Sequence, residues 1–414
     1  DSRGRSVGGP VGVGGAAVAA DAARALPPLR VRPAGVAGPV PRVWRGVPNK
    51  AADGVGGEPR MGQATLDATL TRATVRLLAI AALAMASCRR PAAPAAVNAT
   101  YADTVAAVPV AAPVTFTLHD GARGKDVAAY AAVPAGGGPW PLVVCSHGNQ
   151  SAGPAMAGLF AGWAAHGYVC LAPTHDDSVS MRAAAIAAGA TPESLPGAGM
   201  IAPRGAGTDS VLNRARDVSF LLDSLDDIES ILHVRIDRGR IGVGGHSSGA
   251  YTAMLLGGTM AEMDGVPRSA ADPRPRAFLL MGALGSGQGG LTRDSWKGFT
   301  RPLMNITGSL DLVPRGQTPE QKREPFALSP PGEKFEVFLI GANHGTFTCD
   351  PTDTFYLKQL GGSAGQQAVL FDDIRDVTLA FWDAELKGSP AATAYLRSGD
   401  AGRRSGGRVS IECR

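Results

Sequence analysis

Six short apolar runs constrain this chain more than any other feature: PLVVCS (Pro141–Ser146), YVCLAP (Tyr168–Pro173), RIGVGG (Arg240–Gly245), AFLLMG (Ala277–Gly282), PLMNITG (Pro302–Gly308) and FEVFLIG (Phe335–Gly341). None alternates strictly between apolar and polar residues. That texture belongs to strands buried on both faces of a parallel sheet. Parallel neighbours need crossovers, and segments of helical period supply them. Pro154–Ala165 carries Met156, Leu159, Phe160 and Trp163 as one stripe, with Pro154 in the first turn and Gly167 beyond the end. Val211–Leu225 repeats Val211, Ala215, Val218, Leu222 and Leu225, Ser248–Leu256 follows the RIGVGG run, and Ile374, Val377 and Phe381 mark a last helix stopping near Gly388. Two earlier runs, VTFTLH (Val114–His119) and DVAAYAAV (Asp126–Val133), bring the count to eight. The expected fold is an α/β domain over residues 114–414, a mostly parallel, doubly wound, eight-stranded sheet with helices on both faces.

The region before residue 114 has a different character. Residues 1–60 are rich in Gly, Ala, Val, Pro and Arg and show no helical or strand period. They hold nine basic residues against four acidic ones, a balance of +5. The whole chain carries +4, so the remainder is 4 − 5 = −1, and no basic face for nucleic acid is implied. We expect these residues to be a disordered tail or the translation of upstream sequence foreign to the protein, with Met61 as the start. From Met61, Arg72 and Arg76 precede the apolar run LLAIAALAMA (Leu77–Ala86) and then Ser87-Cys88. Ten apolar residues are too few to span a bilayer but suit a secretory signal, so residues 61–88 are expected to direct export. The small residues before Cys88 also resemble a lipoprotein signal, which would anchor the chain to a membrane through a lipidated cysteine. An Ala/Pro-rich linker occupies residues 89–113. Of the other cysteines, Cys145 and Cys170 lie in buried-strand texture, and export would permit Cys349 and Cys413 to pair.

One stretch carries chemistry. Gly245-His246-Ser247-Ser248-Gly249 comes after a strand run and opens a helical one. A sharp strand-to-helix turn leaves no room for side chains two positions before and two after its central residue. Gly245 and Gly249 satisfy that rule for Ser247. For Ser248 the corresponding residues would be His246 and Ala250, which do not. Ser247 is therefore the expected nucleophile. Such a serine needs a histidine base and an acid to orient it, in the chain order Ser, acid, His.

Of seven histidines, His344 alone lies after Ser247, in a Gly341–Gly345 loop at the end of a strand run. Asp311 comes after the PLMNITG run in the same way and is the expected acid, with Asp294 its rival in the preceding loop. The oxyanion of a tetrahedral intermediate needs backbone donors. The Ser248 N–H at the head of the helix and the Asn149 N–H in Ser146-His147-Gly148-Asn149 occupy the expected places. His147 is expected to brace that loop by hydrogen bonding. Residues 181–206 are too long for a turn and are either a lid or an irregular insertion. His175-Asp176-Asp177 lacks further ligands at metal spacing, so no metal is expected there.

These motifs resemble a known family. CSHGN, AAHGYVCLAPTHDDS, RARDVSFLLDSL and RIGVGGHSSGAYTA look like the platelet-activating-factor acetylhydrolase and predicted dienelactone hydrolase branch of the α/β-hydrolases. The order of parts agrees from about Val114 to Lys387 and the motifs agree best between Leu142 and Leu256. The resemblance implies an α/β-hydrolase fold and a cofactor-free serine hydrolase of carboxylic esters, acting on a small-molecule or lipid ester. It also implies Ser247, Asp311 and His344 as the triad, and Asn149 and Ser248 as oxyanion donors. Ser248 and Ala250 depart from the aromatic and glycine usual after the acetylhydrolase nucleophile. Within the fold, polyesterase, lipase, thioesterase or peptidase variants share these residues. A lipid-anchored binding protein that had lost activity is the alternative from another class.

Overall fold

The computed structural model describes residues 100–190, 208–313, 316–350 and 363–414. The expectations for residues 1–60, for the signal and Cys88, and for most of the 181–206 insertion fall outside these residues. No helix among the described residues is long and apolar enough to cross a membrane.

The described strands are β1 (Val114–Asp120), β2 (Lys125–Ala132), β3 (Trp140–Ser146), β4 (Val169–Thr174), β5 (Ile236–His246), β6 (Ala261–Met263), β7 (Val266–Arg268), β8 (Ala277–Met281), β9 (Leu303–Leu310), β10 (Lys334–Asn343) and β11 (Val409–Cys413). Nine of them form one sheet in the order β1-β2-β4-β3-β5-β8-β9-β10-β11, while β6 and β7 pair as a separate hairpin. All neighbours from β4 through β10 are parallel, and β2 runs antiparallel to both β1 and β4. The eight expected strands are all present. The ninth, β11, pairs antiparallel with β10 and corrects the expected count. Its sequence, VSIEC, is short and half polar, which suits an exposed edge.

Both faces of the sheet are covered, as a parallel arrangement requires. On one face lie α1 (Ala157–Ala165) and α7 (Ala364–Glu385), whose Trp163, Phe381 and Trp382 join the buried cluster of Cys145, Cys170 and Val337. On the other lie α3 (Thr208–Asp223), α4 (Leu225–Leu232) and α5 (Ser248–Gly257), packing Leu221, Ile228 and Met254 onto Val144, Val243 and Phe278. The period read through Leu225 is divided at Ser224, where the chain leaves helical geometry (φ −100°, ψ 21°) before α4 begins. Short helices α2 (Val179–Ala187), α6 (Glu324–Leu328), α8 (Pro390–Arg397) and α9 (Asp400–Arg404) complete the described set.

Two further features bear on the sequence reading. Tyr101, within the expected linker, is buried, and its hydroxyl donates to Asp383 at 3.0 Å. Cys349 and Cys413 are unpaired. Cys349 is buried with its Sγ 3.7 Å from the Phe371 carbonyl, whereas Cys413 ends the exposed strand β11.

Strand order places the site. After β3 the chain forms β4 on one side, then crosses back to form β5 on the other. Such reversals open a crevice at the carboxyl ends of the two central strands. Ser146 closes β3 in register with Gly245 of β5, so the loops carrying Asn149 and Ser247 leave the sheet side by side.

Candidate active site

Ser247 sits between β5 and α5 with φ 57° and ψ −116°, a conformation rarely adopted by a residue with a side chain. Strain of this kind costs about 1–3 kcal/mol and persists only where the surroundings enforce it. Here the flanking glycines do so. A Cβ on Gly249 would lie 1.8 Å from the Ser146 carbonyl oxygen, and one on Gly245 would lie 2.3 Å from the Gly249 backbone. The strand and helix approach each other too closely for anything larger.

His344 and Asp311 reach Ser247 from neighbouring strands. Leu310 at the end of β9 is in register with Asn343 at the end of β10, so Asp311 and His344 leave the sheet together. Between Leu339 and Asn343 the register shifts, β10 taking four steps against two on β9. Such a bulge bends the strand and re-aims the residues beyond it. His344 Nε2 then lies 2.8 Å from Ser247 Oγ, and His344 Nδ1 lies 2.7 Å from Asp311 Oδ1. An ionised Asp311 only accepts, so Nδ1 carries the proton and Nε2 presents its lone pair to the hydroxyl. Gly282, at φ +59°, leaves space for the pair: a Cβ there would stand 3.1 Å from the imidazole and 3.3 Å from Asp311 Oδ2. Asp294 takes no part. It is exposed and paired with Lys297 at 3.0 Å.

Burial drives the Asp311 carboxyl up, but the His344 imidazole and the Lys322 ammonium, each beside it, outweigh that and hold the group below its usual range. Thr307 Oγ1 donates to Asp311 Oδ2 at 3.1 Å and fixes the carboxylate plane. Beneath the pair, His246 Nε2 donates to the His344 carbonyl at 2.7 Å. Burial, then the neighbouring His344, push the His246 imidazole down to about 3, so it serves as a neutral brace.

The loop after β3 faces the elbow. A Cβ on Gly148 would lie 3.1 Å from His246 Nδ1 and 3.7 Å from Ser247 Cβ. Asn149 comes next, in the half-buried rim. Ser248 heads α5 and is buried, with its hydroxyl lacking a hydrogen-bond partner. The structure thus brings the five residues expected from sequence to one end of the sheet.

A solved structure, a ferulic acid esterase from Streptomyces cinnamoneus, matches with a TM-score of 0.50 and 19% identity, over 73% of this chain and 96% of that one. The fold is that of the α/β-hydrolases. No protein-family model and no curated protein matches the sequence.

A second Ser–His–Asp chain lies below the first in this α/β-hydrolase fold. Ser146 Oγ is 2.8 Å from His175 Nε2, and His175 Nδ1 is 2.9 Å from Asp217 Oδ2. All three are fully buried. Ser146 is the last residue of β3 and has no access to solvent, so this chain braces the sheet end rather than meeting a substrate. The His175-Asp176-Asp177 run is spent within the protein: Asp176 pairs with Lys125 at 2.7 Å and Asp177 with Arg214 at 2.6 Å. His147 accepts from the His175 N–H at 3.0 Å and approaches the Gly148 carbonyl at 2.7 Å through Nδ1, the bracing role expected of it.

Sequence reasoning missed two cations in this region, Arg214 and Lys322. Arg214 stands in the RARD motif, but one helical period cannot tell a buried arginine from an exposed one. Lys322 lies in a polar segment that reads as surface, yet its side chain is fully buried.

Proposed function

We propose that this chain is a serine hydrolase that cleaves carboxylic esters through an acyl-enzyme. The observation that carries the reading is the unbroken hydrogen-bond chain from Ser247 through His344 to Asp311. Ser247 Oγ attacks the ester carbonyl carbon as its proton passes to His344 Nε2. Asp311 accepts from Nδ1–H and stabilises the imidazolium. The oxyanion is held by the N–H groups of Asn149 and Ser248, each such donor supplying about 3 kcal/mol of barrier lowering. The intermediate collapses with the C–O bond breaking, and His344 returns the proton to the leaving alcohol. Water then attacks the acyl-enzyme, His344 takes its proton, and the acid departs from Ser247. No step calls for a metal or cofactor. The substrate class is a small-molecule or lipid ester, and export to the cell exterior or a membrane-anchored location belongs to the same reading.

Hydrolysis of short- and long-chain nitrophenyl esters by wild type, Ser247→Ala and Ser248→Ala tests the proposal. Turnover by wild type and Ser248→Ala, with Ser247→Ala slower by a factor on the order of 10⁵, is the expected result. Activity that survives the first change but not the second assigns the nucleophile to Ser248. No turnover in wild type favours the binding-protein alternative.

A further inference from the structure

We infer that Arg214 is the positioning residue that aims the oxyanion-binding peptide groups, an assignment that rests on the hydrolase reading above. Arg214 projects from α3 and is only 7% exposed. Its Nη1 donates to the His147 carbonyl at 2.7 Å and its Nη2 to the Gly148 carbonyl at 3.2 Å. In a trans peptide the C=O and N–H of one unit point in opposite directions. Drawing these two carbonyls onto the guanidinium therefore turns the N–H groups of Gly148 and Asn149 to the opposite side. Ser247 lies against this same stretch of loop, its Cβ 3.7 Å from where a Gly148 side chain would start.

The guanidinium is itself clamped. Nε donates to Asp177 Oδ1 at 3.1 Å and Nη2 to Oδ2 at 2.6 Å, a planar fork that only arginine can make. Asp177 Oδ2 also accepts the Gln150 N–H at 3.1 Å. Three successive peptide units are thus fixed by one ion pair, with the Gln150 N–H drawn inward and those of Gly148 and Asn149 turned away. The orientation needs fixing because Gly148 leaves the backbone free to rotate, and a reversed Gly148–Asn149 unit would present a carbonyl oxygen to the developing oxyanion. His147 Nδ1 and the Ser151 N–H, at 2.7 and 3.2 Å, also hold the Gly148 oxygen. Of its three partners, Arg214 is the cationic one, and it alone also reaches the preceding carbonyl.

Two full-length variants test this. Arg214→Lys keeps the charge beside Asp177 but loses the fork. Arg214→Gln combined with Asp177→Asn leaves no buried charge unpaired, which guards against a chain that fails to fold. Each is compared with wild type for kcat and KM on nitrophenyl butyrate, for inhibition by a trifluoromethyl ketone that mimics the tetrahedral intermediate, and for thermal unfolding. We expect kcat to fall about a hundredfold in both with KM nearly unchanged, and the inhibition constant to rise in parallel with the loss in kcat/KM. A merely structural role would lower the unfolding temperature without that parallel. A folded variant with wild-type kcat, or unchanged inhibition beside a lowered kcat, overturns the assignment. If wild type turns over no ester, the hydrolase reading fails first and the assignment with it.

Discussion

Lys322 Nζ lies 3.3 Å from Asp311 Oδ1, and neither side chain is exposed to solvent. The ammonium also donates to the Ala283 carbonyl at 3.1 Å, which holds it in place beside the carboxylate oxygen that faces His344. Burial pushes the lysine down while Asp311 opposes the change, and the lysine in turn helps hold the carboxyl low. A buried acid that must stay ionised to accept from His344 gains from a neighbour of opposite charge.

Replacing Lys322 by methionine removes the ammonium that helps keep Asp311 ionised. Protonation of the Asp311–His344 pair then becomes easier, and the acid-side fall of kcat/KM moves to higher pH. Profiles of wild type and Lys322→Met over roughly pH 4 to 9 measure this directly. An unmoved acid limb, or one displaced to lower pH, contradicts the role given to Lys322.

The glycines about the elbow differ in what they protect. Gly249→Ala forces a Cβ into the Ser146 carbonyl, a backbone atom that cannot yield, and is expected to lose about 3 kcal/mol or more of stability. Gly282→Ala meets the His344 imidazole instead and must also hold a positive φ. That variant should fold and lose activity, by roughly 10- to 100-fold, because a small displacement of the base is costly. Denaturant unfolding and ester turnover on both proteins separate the two effects. Equal damage to stability in the two variants would contradict this division.

Stability at low pH depends on two buried carboxylates. Burial raises Asp177, but Arg214 outweighs it and holds the group at about 2. Asp217 is likewise raised by burial and pulled down to about 2 by His175, Lys125 and Arg123. Both are depressed from 3.8, so each contributes stability that is present above pH 3.8 and is lost as pH falls toward 2. The loss is expected to be on the order of 2 kcal/mol for each group. Urea unfolding between pH 5 and 2 should show the decline, and Asp217→Asn, less stable at neutral pH, should show a shallower one. A wild-type slope that Asp217→Asn reproduces would rule out this source.

Much of this architecture was legible in the chain because its cause is local. The β5 strand, the two glycines and the α5 helix are contiguous, so the geometry that isolates Ser247 from Ser248 can be read from spacing alone. Chain order and a place after an apolar run mark Asp311 and His344. The features that stayed hidden depend on distant partners. The bulge before His344, the Gly282 approach and the Lys322 contact each arise where segments far apart in sequence meet. Arg214 and Asp177 are 37 residues apart, and nothing in either neighbourhood announces their fork. Strand β11 escaped notice because an edge strand of five residues, pairing on one side only, needs no apolar run. Tyr101 gives no sign of its place in the sequence, because a single aromatic in an Ala/Pro-rich stretch carries no period, although Asp383 secures it.

Covalent labelling with a fluorophosphonate, coupled to peptide mapping, tests the central claim most directly. The account predicts a single phosphonylated site at Ser247, abolished in Ser247→Ala and strongly slowed in His344→Ala, while Ser146 with its own imidazole partner stays unmodified. A label on Ser248 or Ser146, or undiminished labelling without His344, would contradict it.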